Sequence, residues 1–89
     1  MNKERKESLR RTISKINLVV DSLKEQSYAM QEIIFKEQDV IDSMPDNFKM
    51  TDRWADAEAL LDEMYRLKDN VDYCVSTLLS GIENVETAM

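Results

Sequence analysis

The sequence predicts an all-α fold, an antiparallel two-helix hairpin of coiled-coil type that is expected to pair into a four-helix bundle or a higher homo-oligomer. Three observations carry that expectation. Gly and Pro occur once each in 89 residues, too few for the tight turns of a β-rich fold. Two apolar ladders, Leu9 to Met44 and Trp54 to Met89, each cover 36 residues and step by alternating threes and fours, the heptad spacing of packed helices. The only proline, Pro45, lies between them in the stretch Ser43–Asp52.

Length bounds the chain to one domain, just above the size at which small scaffolds need a staple or a partner. One cysteine, Cys74, excludes an internal disulfide, and the absence of His removes the commonest transition-metal ligand. The lone thiol fits a reducing compartment. The basic start is not followed by an apolar stretch of the signal-peptide kind, and no apolar run approaches the ~20 residues of a membrane span. A cytoplasmic protein without membrane contact is expected.

Residues 1–8 are highly charged and are expected to fray. The first helix is expected over about 9–43. Its rungs are Leu9, Ile13, Ile16, Val20, Leu23, Ser27, Met30, Ile34, Glu37, Ile41 and Met44. In heptad letters Leu9 is d and Ile13 is a, so Ser27 and Glu37 are the polar rungs. Val19, Ile33 and Val40 fall at g and widen the apolar stripe on one flank. Arg10, Asn17, Lys24, Gln31 and Gln38 fall at e and keep the other flank wet.

The turn is expected over 44–51. A residue before proline is biased out of the α region, which ends the first helix near Ser43 or Met44. Phe48 and Met50 are expected to plug the end of the bundle. Thr51 is the expected N-cap of the second helix, with Asp52 suited to the first turn.

The second helix is expected over about 52–86. Trp54, Ala57, Leu61, Met64, Lys68, Val71, Val75, Leu78, Ile82, Val85 and Met89 form its ladder, broken only by Lys68. The g positions Leu60, Leu67, Cys74, Gly81 and Ala88 are apolar or small. Gly81 could end or kink this helix, but the register continues past it; a close approach by another helix would explain a residue that costs about 1 kcal/mol relative to Ala. Each helix would be about 54 Å long, and residues whose numbers sum to about 98 should lie level. That places Arg10–Lys15 beside Glu83 and Glu86.

A two-stranded coiled coil buries only a and d. In an antiparallel pair the two g rows share one flank, so Val19, Ile33, Val40, Leu60, Leu67 and Cys74 would form an exposed apolar strip. Such strips mark a partner surface, and self-association through this flank is the simplest solution. Ser27, Glu37 and Lys68 in the seam are expected to set register and oligomeric state.

Catalysis is not indicated. The acid pairs Asp39-x-x-Asp42 and Asp69-x-x-Asp72 fall at outer or rim positions, where metal-dependent helical hydrolases need inward carboxylates. Neither a cofactor nor a metal is implied. The net charge of −6 is uneven: six bases against two acids give +4 over residues 1–15, and ten acids against four bases give −6 over residues 39–72. The acidic half reads as a solvated surface, with imitation of nucleic acid as the sharper alternative. Nucleic-acid binding by the basic segment is disfavoured, because Arg10, Arg11 and Lys15 at e, f and c spread around the helix. The same three residues are the candidates for holding a nucleotide-type anion at an oligomer interface. Tyr28, Phe35, Tyr65 and Tyr73 fall outside the seam and are the candidates for contact with another protein.

Glu37-Gln38, Asp42, Met44-Pro45-Asp46-Asn47-Phe48, Thr51 and Ala57-Glu58 resemble an uncharacterised family of small helical-hairpin proteins encoded by bacterial phages and mobile elements. These share an acidic-Gln helix end, an Asn-Met/Leu-Pro-Glu-Asn/Ser-Leu turn and an Ala-Glu-rich second helix. The resemblance covers residues 33–64. Phe48 stands in place of Leu and Asp46 in place of Glu. It implies an accessory protein that acts by binding, for example to a host protein. The expected function is a non-enzymatic interaction module; a small-molecule sequestering oligomer and a purely structural bundle are the alternatives.

Overall fold

In a computed structural model describing residues 1–89, Asn2 opens the first helix. Its backbone is extended (φ −77°, ψ 167°), and its Oδ1 accepts the Arg5 N–H at 2.8 Å. This cap satisfies one of the donors a helix start leaves unpaired. Helix α1 therefore runs Lys3–Asp42, and the charged start expected to fray is helical.

Ser43 and Met44 donate to the Asp39 and Ile41 carbonyls at 3.0 and 3.2 Å, tightening the last turn before Pro45 leaves the α region at ψ 149°. A single 3-10 turn, Asp46–Phe48, follows. Thr51 then does two jobs. Its hydroxyl donates to the Phe48 carbonyl at 2.6 Å and accepts the Trp54 N–H at 3.3 Å, so the connector is fastened to the start of α2 as that helix is capped. Helix α2 runs Asp52–Ala88. It continues unbroken through Gly81, and the Met89 N–H still reaches the Val85 carbonyl at 3.1 Å.

The two helices form an antiparallel hairpin of 69 × 16 × 15 Å. Its level is set by cross-helix neighbours: Ser27 with Asp72, and Ile33 with Leu67, so numbers sum to about 99–100 rather than 98. The buried residues of α1 are Ile13, Val20, Ser27, Ile34 and Ile41, and those of α2 are Leu61 and Val75. All are a positions. Ile34, Ile41 and Leu61 make the largest cluster, with Met30, Trp54, Ala57 and Met64 packed against it.

The seam is not centred between a and d. Asn17, Gln31 and Gln38 at e are half-buried, whereas Glu37 at d is exposed, as are Leu78 and Val85 in the d row of α2. The seam is centred on the a row: the other d residues are half-buried, the e row of α1 is drawn partly inward at those three residues, and the e row of α2 stays exposed. This corrects two expectations: the e flank is not wet throughout, and Glu37 is not a seam residue. Its carboxylate stays in water, where an unpaired charge belongs.

The turn differs as well. Met50 is 90% exposed and plugs nothing, while Phe48, half-exposed, shares a hollow with Met44, Pro45, Thr51 and Trp54. The 3-10 turn carries Met50 past the bundle end. No helix is long and apolar enough to cross a membrane.

Candidate functional site

The middle of the seam holds one polar group. Ser27 Oγ donates to Asp72 Oδ1, and Lys68 Nζ donates to Asp72 Oδ2 at 2.7 Å. The Ser27 contact is the sole side-chain hydrogen bond between the helices. Asp72, expected to point to the rim, instead leans back from its e position, because a buried hydroxyl and a mostly buried ammonium need an acceptor. The Lys68 hydrogen bond, and after it the Ser27 hydrogen bond, hold the Asp72 carboxyl below its ordinary value of 3.8. The Lys68 and Asp72 side chains retain 17% and 45% of their exposure. The trio is therefore closed on one side and open on the other.

Its open side is the e/b flank. Here a groove of about 450 Å³ is lined by Tyr28, Gln31, Lys68, Asp72, Val75 and Leu79, among others. Tyr28, Phe35 and Tyr73 project freely, and Tyr65 is only marginally exposed. Phe35 and Tyr65 share one level of the hairpin, and Tyr28 lies level with Asp72. The aromatic candidates thus line up along one flank, except Tyr73, which at f sits on the outer back of α2.

The opposite flank is aliphatic. Val19, Ile33, Val40, Leu60 and Leu67 are each at least half-exposed, and Cys74 is exposed. Ile33 and Leu67 face one another across a groove of about 190 Å³ floored by Met30 and Val71. Leu78 and Val85 extend the flank toward the open end of the hairpin. The heptad letters place these two d residues inside, but on α2 they stand partly in the open. Leu18, 69% exposed at an f position, is a further outward apolar residue that ladder counting passes over.

The three bases proposed for an anion are not gathered. Arg10 lines a groove of about 410 Å³ at the open end, but shares it with Glu86. Arg11 turns to the Ser8 hydroxyl at 3.2 Å. Lys15 lines none of these grooves. No ion pair joins the basic start of α1 to Glu83 or Glu86; the three that form are Asp46–Lys49, Glu63–Arg66 and Lys68–Asp72, all local in sequence. Asp42 accepts a hydrogen bond from Gln38 at 2.9 Å, and no three acidic or thiol groups converge where a metal ion would sit.

No family model, curated protein or solved structure matches the chain.

Proposed function

We propose that this chain is a non-enzymatic protein-interaction module whose hairpins pair with one another through the aliphatic d/g flank and bind a different protein through the aromatic e/b flank. The observation that carries the reading is the uncovered row Val19, Ile33, Val40, Leu60 and Leu67. Seven of 89 residues are buried, a core too small to leave so long an apolar row facing water without consequence. Pairing would bury that row and leave Tyr28, Phe35 and Tyr65 outside. Exposed aromatics of this kind anchor protein contacts because they bury large area while ordering few torsions.

The resemblance of residues 33–64 to hairpins of phages and mobile elements supports an accessory protein of the bacterial cytoplasm, with a host protein as the bound partner. The scatter of Arg10, Arg11 and Lys15 favours this reading over sequestration of a nucleotide-type anion.

Light scattering on a sizing column, paired with affinity capture from a bacterial lysate, tests both halves. The expected results are a mass at least twice 10.4 kDa and a co-purifying protein lost from Tyr28→Ala/Phe35→Ala. A monomeric mass at tens of micromolar overturns the pairing. Capture that is indifferent to the aromatic substitutions overturns the role of the e/b flank.

A further inference from the structure

We infer that the two hairpins of a pair lie antiparallel, with the two-fold axis crossing each at the level of Gln26 and Cys74, so that α1 packs on the partner's α1 and α2 on the partner's α2. This rests on the self-pairing proposed above and specifies its geometry.

Side-chain size along the flank is the first reason. From the turn toward the open end, the g row of α2 reads Leu60, Leu67, Cys74, Gly81, Ala88, and that of α1 reads Val40, Ile33, Gln26, Val19, Thr12. The α2 row is bulky near the turn and small at the open end, and the α1 row tapers only slightly. Reversal about Cys74 sets Leu67 over the partner's Gly81 and Leu60 over the partner's Ala88. It also sets Ile33 against the partner's Val19 and Val40 against the partner's Thr12. On α2 each Leu meets a Gly or an Ala, as interdigitating layers require, and on α1 medium-sized side chains meet one another. Nothing lies within 4 Å of the place a Gly81 Cβ would occupy, so that stretch of α2 offers bare backbone to an incoming Leu67. The glycine is thereby accounted for by an approach from outside the hairpin. With both turns at the same end, Leu60 would meet the partner's Val40 and Leu67 the partner's Ile33. Gly81 would then face only Val19, crowding one half and underfilling the other.

Charge is the second reason. Residues 27–73, the turn half, hold twelve acids and five bases, a net −7; the open half, residues 1–26 and 74–89, holds seven bases and six acids, a net +1. The antiparallel pair sets −7 against +1, and the parallel pair sets −7 against −7. Across an interface about one Debye length thick that repulsion is only partly screened. The axis residues agree: Gln26 meets the partner's Gln26, whose amide both donates and accepts, whereas the parallel pair gives it only a thiol.

The face is large enough. The hairpin's silhouette of 69 × 16 Å offers up to about 1,100 Å² per copy, room for the ~800 Å² per partner of a standard interface.

Three variants and one reagent decide the matter. A short bis-maleimide is expected to link wild-type chains through Cys74 into a species of twice 10.4 kDa. A Leu60→Cys/Cys74→Ser chain is expected to stay unlinked, because the single thiols of the two chains sit far apart on opposite sides of the axis. Gly81→Leu is expected to weaken pairing at least about tenfold by overpacking the seat. Leu67→Ala/Gly81→Leu is expected to recover most of that loss, because the exchanged side chains meet across the axis. Circular dichroism of each variant verifies that the helices persist. A dimeric mass with linkage through position 60, whether or not Cys74 also links, or with no recovery in the double variant, overturns the antiparallel geometry and leaves self-pairing standing. A monomeric mass for the wild type overturns both.

Discussion

Ser27, Lys68 and Asp72 show how one level of an apolar seam tolerates polar side chains. Lys68 alone would be a mostly buried charge and Ser27 alone an unsatisfied hydroxyl; Asp72 accepts from both. Because its folded pKa lies below 3.8, Asp72 contributes stability that is fully present above that value and is lost as pH falls through the folded value. The difference in thermal midpoint between wild type and Asp72→Asn should therefore be complete well above 3.8 and shrink as pH falls below it. In an NMR titration, Lys68→Met should return the Asp72 pKa toward 3.8 further than Ser27→Ala does, since the Lys68 hydrogen bond is the larger cause. Trp54 presents the converse case. Its Nε1–H is buried and has no acceptor, so Trp54→Phe should be neutral or stabilising by up to about 1 kcal/mol in urea melts, because an unpaired donor is removed with little loss of ring packing. The Ser27–Lys68 pair was legible as a seam feature. Asp72 was not, since a heptad letter places a Cα and says nothing of a side chain leaning one position inward.

At the level of elements, both helices begin on a side-chain cap and the turn is held by Thr51. Thr51→Ala removes the Trp54 N–H acceptor and the bond to the Phe48 carbonyl together. It should lower stability by about 1–2 kcal/mol in denaturant melts. Asn2→Ala should lower it by no more than about 0.5 kcal/mol, because its helix end makes few tertiary contacts and opens locally at small expense. The ladders made the existence, approximate extent and antiparallel order of α1 and α2 readable in advance, and Thr51 was recognisable as a cap. The start of α1 lies earlier than the first ladder rung, because the Asn2 cap and continuous helix formers extend it to Lys3. The fate of Met50 was equally hidden, as it depends on the direction in which a 3-10 turn leaves the bundle.

For the whole molecule, the decisive contrast lies between neighbours on α1. Ile34 is fully buried and Ile33 half-exposed. Ile34→Ala should destabilise the hairpin by about 3 kcal/mol in urea melts, the loss expected for a core truncation. Ile33→Ala should leave the dilute hairpin within about 0.5 kcal/mol, yet shift its mass on a sizing column toward the monomer. Equal effects of the two substitutions on stability and mass would mean that the d/g flank is ordinary surface. The turn half and the open half of the bundle also differ in charge, so pairing should depend on ionic strength in a way that an uncharged apolar strip does not.

The sequence by itself determined the two helices, their order and their approximate extent, the place of the turn and the a-row core, because hydrophobic periodicity and a lone proline act through local backbone geometry. The tertiary structure alone decided how each helix is rotated about its own axis. That rotation half-buries Asn17, Gln31 and Gln38, exposes Glu37, Leu78 and Val85, and draws Asp72 onto Ser27 and Lys68. Rotation follows from the fit of opposing side chains across the seam, a non-local balance of packing and polar satisfaction that heptad spacing does not encode.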